Sequence, residues 1–264
     1  PISLSICANL GIDPRPIIIT EAIFSNIGGV ATLVGDPPNI MISSAANLSY
    51  SDFVINLAPV VIICLLASAL AFKLLFSDKV EEQNAKMKRK SMESLIEREP
   101  SDEIKDWGLF KKSVLVLIFV IILFILHHEA TLEPATVALI GAAFILLLTR
   151  PDLDKVVSRV KWSTLLFFAG LFVIIHGIVK TGVLITLASA VIDLTAGNFL
   201  MSTLVILVVA ALGSAFVDNI PFTAMMIPVV GSVSTHFLAT TNILWWALAF
   251  GAGFGGNFTY IGSS

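Results

Sequence analysis

The sequence predicts an all-α polytopic membrane protein, built from inverted repeats with broken helices and a re-entrant hairpin. Three observations point there. Hydrophobic residues make up 56% of the 264 residues and charged residues only 13%, about half the charged share of a soluble domain. Mean hydropathy is +0.93. Finally, a polar, glycine-rich pattern interrupts apolar sequence twice, and an Asp-Asn island interrupts it once more. The net charge of −3 says little, because the charges collect in a few loops.

A crossing helix needs about 20 apolar residues. Uninterrupted candidates are 53–76, 109–126, 132–149 and 162–179; broken ones are 17–48, 199–238 and 243–264. The hydrophilic stretch 78–108 reads as a solvated, partly helical connector. It separates the end of a first repeat (1–77: hairpin arm, broken helix, span) from a second repeat (109–264) truncated in its broken helix. Lys86, Lys88, Arg89, Lys90 and Arg98 lie in the connector, and Arg150, Lys155, Arg159 and Lys161 follow the third span. The loop HHEATLE (127–133) has no Lys or Arg. The positive-inside rule therefore puts the connector and the Arg150 loop in the cytoplasm and 127–133 outside, in a multi-pass protein expected in the plasma membrane.

The first interruption is SNIGGVATLVGDPPNIM, Ser25 to Met41. Its pattern G-G-x-x-T-x-x-G, from Gly28 through Thr32 to Gly35, recurs from Gly255 through Thr259 to Gly262, 227 positions later. Pro1 and Pro228 share that offset. On the sides derived above, the two copies enter the membrane from opposite faces. Inverted repeats with discontinuous helices are the architecture of secondary transporters, with the site near the midplane.

Opening a helix in hydrocarbon frees N–H and C=O groups that cost several kcal/mol each if unpaired. Such backbone persists where it is packed in protein or lines a watery cavity. Gly28, Gly29 and Gly35 permit close approach, while Pro37 and Pro38 cannot continue the preceding helix. Glycine in membrane helices commonly serves helix packing; Asp36 and Asn39 in the same break tip the reading to function.

The second polar island is Asp218-Asn219, followed by Pro221, with no Lys or Arg beside it. Two full spans with an exposed turn and a re-entrant hairpin both fit; short apolar arms favour the hairpin. A carboxylate at membrane depth is expensive and marks an ion or proton path, so Asp36 and Asp218 are expected to trade Na⁺ for H⁺. Glu21 is a third candidate, as proton group, gate or structural partner. His176 reads as a packed histidine, Lys180 as a snorkelling one near the outer edge, and Cys7 and Cys64 as small packing residues.

The stretches EAIFSNIGGVATLVGDPPN, WSTLLFFAGLFV, SAFVDNIPFTAMMIPVV and WALAFGAGFGGNFTYIGSS resemble the ion transporter superfamily. The resemblance is to the group of arsenite permeases, NhaD-type sodium–proton antiporters and the P-protein (citrate-transporter-like domain). It covers essentially the whole chain. It implies that Asn26, Gly28, Gly29, Thr32, Gly35, Asp36 and Asn39 form one break. Asp218, Asn219 and Ile220 would be a hairpin tip, and Gly255, Gly256, Asn257, Thr259 and Gly262 would open a second break. Related dicarboxylate carriers carry Ser-Asn-Thr at such tips; Asp-Asn-Ile here speaks against a di- or tricarboxylate.

The expected function is secondary active ion transport by alternating access, with sodium–proton exchange and arsenite or other oxyanion export both open. A di- or tricarboxylate transporter and a passive pore are the alternatives. No H-E-x-x-H or G-x-S-x-G motif supports an intramembrane enzyme. No cofactor is expected beyond a coupling Na⁺ or H⁺. Expected partners are a small ion and the bilayer, with a homodimer left open and no role for nucleic acid. Beginning at Pro1 and ending at Ser264 in a Gly-rich run, the chain reads as a segment whose remaining parts would complete it.

Overall fold

A computed structural model describes residues 2–86, 106–238, 242–259 and 262. Most of the connector, 87–105, and Ser263 of the second break lie outside the described residues. The described chain is α-helical. In chain order the helices are α1 (Ile2–Leu10), α2 (Pro14–Gly29), α3 (Pro37–Ala46), α4 (Tyr50–Asn56) and α5 (Ala58–Lys86). After the connector come α6 (Trp107–Leu126), α7 (Pro134–Thr149), α8 (Leu153–Val157), α9 (Trp162–Lys180) and α10 (Val183–Leu194). The last three are α11 (Phe199–Phe216), α12 (Asn219–His236) and α13 (Ile243–Gly255).

Among the described residues, four segments are long and apolar enough to cross a membrane: Ala58–Phe76 in α5, and α6, α9 and α11. α7, α10 and α13 are shorter apolar helices. Their faces carry Leu, Ile, Val and Phe outward, as an integral multi-pass membrane protein does when lipid is its solvent.

The buried apolar core joins the start of the chain to its end. Val30 and Leu33 of the first break, Phe53 of α4 and Val61 of α5 pack with Val230 of α12 and Leu248 of α13. Phe53 meets Trp246 edge-on at 5.0 Å. α11 and α13 lie closely along each other because Gly251 and Gly255 offer no side chain. A Cβ on Gly251 would meet the Leu207 carbonyl and Ala210, and one on Gly255 the Ala211 carbonyl. Small residues four apart bring backbones together without a polar cost.

Local signals explain most boundaries. Asp13 caps α2 by accepting from the Arg15 N–H, with Pro14 at the first helical position. Pro37 opens α3, and Asn47 ends it in the left-handed conformation at φ 53°. The expected span 53–76 is not continuous: the chain turns at Leu57 between α4 and α5. Ser49 and Asp52 form a capping box that starts the short α4 ahead of it. The expected span from 132 starts instead at Pro134, since proline favours the first turn. α10 was not anticipated as a separate helix. His176 does not pack: it is exposed on α9. Cys7 is buried, Cys64 half-buried, and both are free thiols.

Candidate functional site

The first helix interruption forms. α2 stops at Gly29 and α3 begins at Pro37, so residues 30–36 cross between them without helix. The turn is tight enough for Gly35 to lie on the Gly29 carbonyl, where any Cβ would collide. The carbonyls that α2 leaves unpaired are met from within. Asn39 is 1% exposed, and its Nδ2 donates to Thr32 O at 2.9 Å and Gly29 O at 3.2 Å, with Val30 O at 3.4 Å. Asn39 thus holds the break's own backbone in shape. Part of the backbone that the opened helix leaves unpaired is met by one amide in the first turn of the next helix.

Where the second break is expected, α13 ends at Gly255. Gly256 caps that helix, and Asn257 and Phe258 turn back onto Phe254 O at 3.1 Å and Gly255 O at 3.0 Å. The Thr259 hydroxyl donates to the Ala215 carbonyl, and Gly262 sits against the Ser214 carbonyl. Ser214 itself donates to Ala252 O at 2.7 Å. The second break is therefore fastened to the end of α11, beside the turn into α12.

That turn is short. Val217 and Asp218 alone separate α11 from α12, and Phe222 folds back onto Gly213 across it. Asp218 caps α12, its Oδ1 accepting from the Ile220 N–H at 3.2 Å. Asn219 and Ile220 are buried.

Two long-range bonds join these pieces in pairs. Asn219 donates from Nδ2 to Asp36 Oδ2 at 3.0 Å, joining the start of α12 to the first break. Asn26 donates from Nδ2 to Asn257 Oδ1 at 3.0 Å, joining the two breaks. Gly253 leaves room for Val30 to pack over α13, and a Cβ there would lie 3.9 Å from Asp36 Oδ2. A cavity of about 400 Å³ opens beside the amide pair, lined by Ile23, Asn26, Gly256, Asn257, Phe258 and Thr259 among others. None of its lining side chains is charged.

The structure thus brings Asn219 to Asp36 and Asn26 to Asn257; Gly256 and Thr259 line the cavity beside the second pair, while Gly29 and Gly35 pack on each other within the first break. Asp218 flanks the amide that Asp36 accepts from, so two carboxylates stand at one helix start. Such a pair can hold a cation or share a proton. Glu21 stands apart: it is exposed on α2, and Ser3 of α1 donates to its Oε2 at 2.7 Å. The contributions of Ser214 and Gly253 were missed. Both follow from helix pairing between α11 and α13, for which small residues four apart were the available signal.

A family model described as citrate transporter matches residues 1–251. Over the whole of this chain, a 46 kDa membrane protein of Mycobacterium leprae is 41% identical. An uncharacterized transporter of Mycobacterium tuberculosis is 39% identical, and the human P protein 30%. The chain spans 61% of the length of the two mycobacterial relatives and 40% of the P protein.

Proposed function

Because the chain belongs to the citrate transporter family, we propose that it carries the site of a secondary active ion transporter working by alternating access. The observation that carries this reading is the meeting of Asn219 with Asp36 and of Asn26 with Asn257. Segments remote in sequence, the first break with the α11–α12 turn and α2 with the end of α13, are tied pairwise by polar side chains inside an apolar protein. In this proposal the halves 1–77 and 109–264 are inverted repeats, and motion of one against the other opens the site to each side in turn.

The transported species is proposed to be a small ion: Na⁺ exchanged for H⁺, or arsenite or another oxyanion. Neutral amides line the cavity, and no Lys or Arg stands in either break or at the tip. A multivalent anion bound by direct charge pairing is therefore disfavoured, whereas neutral arsenite needs only hydrogen-bond partners. The second reading, a citrate-like carboxylate, is favoured by the family's description; it calls for a counter-cation at Asp36 and Asp218.

Reconstitution of the intact protein in sealed vesicles tests the proposal. Proton release on addition of Na⁺, uptake of arsenite and uptake of citrate are measured side by side. Counterflow coupled to a gradient of Na⁺ or H⁺ is expected for one of them. Flux of any of them without coupling would make the protein a passive pore.

A further inference from the structure

α6 and α7 form a helix pair set to one side. They pack on each other, with Gly141 of α7 seated against Val120 of α6, and most of their large apolar side chains face outward. Among the described residues, the helix of the remaining body that packs on this pair is α4. The contact is made at the loop 127–133 and the start of α4.

His127 sits in that contact, 4% exposed. Its Nε2 is 3.2 Å from the Tyr50 nitrogen and its Nδ1 is 3.2 Å from the Leu132 carbonyl oxygen. A peptide N–H only donates and a carbonyl only accepts, so one protonation state satisfies both: Nδ1 carries the hydrogen and Nε2 is bare. Tyr50 is the first residue of α4, and its N–H has no partner within the helix. Ser49 Oγ accepts from the Asp52 N–H at 3.1 Å, and His127 serves the Tyr50 N–H from another part of the chain. The Tyr50 ring stacks on Phe124 of α6 at 6.4 Å, adding an apolar half to the same joint.

We propose that His127 is a proton-operated fastener: its neutral ring holds the α6–α7 pair to α4, and its protonated ring releases it. A proton on Nε2 would aim an N–H at the Tyr50 N–H, replacing a hydrogen bond by two opposed donors. Water can reach the ring through a cavity of about 400 Å³ lined by Ser43, Asn47, His128, Thr131 and Glu133 among others. The titratable groups around His127 are few. The loop supplies His128, with its ring centre 6.4 Å away, Glu129 and Glu133. α4 supplies Asp52, held by the Ser49 N–H and hydroxyl. The end of α3 supplies Ser43, Ser44 and Asn47, none of which titrates. Burial above all, then His128, holds the ring below the usual imidazole range, against the opposing pull of Glu133. The joint is closed near neutral pH and opens on acidification. It stands independently of what the protein carries.

Hydrogen exchange of the peptide containing Tyr50, measured in the intact protein at pH 8 and pH 5 and corrected for intrinsic exchange, tests it. Protection in the wild type should fall about tenfold at the lower pH, the scale of one buried hydrogen bond lost. His127→Gln, whose Oε1 can still accept but does not titrate, should change less than about twofold. Equal wild-type protection at both pH values, or an equal fall in His127→Gln, overturns the proposal. A second measurement keeps His127 itself in place, with spin labels at Glu129→Cys and Asn56→Cys after removal of Cys7 and Cys64. The label distance should broaden at pH 5; a distribution equally narrow at both pH values also overturns it.

Discussion

Asn219 donates to Asp36 across 183 residues of sequence, and the bond spans from the first turn of one helix to the residue that precedes another. Both residues stand at helix starts, where unpaired N–H groups favour a negative charge. The carboxylate of Asp36 accepts from the side-chain amide of Asn219 at the start of α12.

Asp218→Asn separates charge from structure. Asparagine caps a helix as well as aspartate does, so stability should change by less than about 0.5 kcal/mol. Coupled transport should nevertheless fall at least about tenfold, because a carboxylate beside the ion is gone. Thermal unfolding and vesicle flux are read on the same preparation. Unchanged exchange kinetics would remove Asp218 from the site.

The glycines of the first break divide sharply. A Cβ on Gly28 meets nothing within 4 Å, whereas one on Gly35 collides with the Gly29 carbonyl. Gly28→Ala should leave stability unchanged or raise it by about 0.5–1 kcal/mol, the helix-propensity gain. Gly35→Ala should cost about 1–3 kcal/mol by forcing the turn open. Denaturation midpoints in detergent would reveal the difference, and equal effects would mean the turn is looser than described.

Thr223 is fully buried on α12, and its hydroxyl has no hydrogen-bond partner among the described residues. Other hydroxyls in α11 and α12 back-bond one turn earlier: Thr203 to Phe199 O and Ser232 to Pro228 O. Thr223→Val keeps the shape and removes an unpaired polar atom, so it should be neutral or stabilising by up to about 1–2 kcal/mol. A lower Tm would mean that the hydroxyl is bonded.

Stability should also depend on pH through His127. Its ring is held below the ordinary 6.5 in the folded chain, so below that value the unfolded chain binds more protons. Stability then rises with pH: it is undiminished above about pH 6.5 and declines as pH falls from there toward the folded value. His127→Gln should flatten that acid limb in detergent melts between pH 8 and pH 5. An identical limb in the variant would assign the titration to another group.

Much of this was legible in the chain itself. Gly-Gly and Pro-Pro bracket the first break because each is a local backbone instruction, and the α11–α12 turn announces itself by Asp218 and Asn219. Other features depend on partners far away in sequence. No local pattern tells Asn26 that it will meet Asn257, or gives His127 a role beyond an outward loop. One missed signal was local: Ser49-x-x-Asp52 is a capping box, and it foretold the short α4 that divides the expected span. His176 was misjudged because an apolar run around a histidine reads the same whether it faces protein or lipid.

The account is tested most directly by a single cysteine at position 220, in the first turn of α12, in the intact protein freed of Cys7 and Cys64 and sealed in vesicles. A membrane-impermeant maleimide is applied from each side in turn, with and without a gradient of the driving ion. Labelling from one side that moves to the other when the gradient is reversed is the predicted result. A thiol that never reacts from either side, under any gradient, would contradict a water-reachable site between the two broken helices.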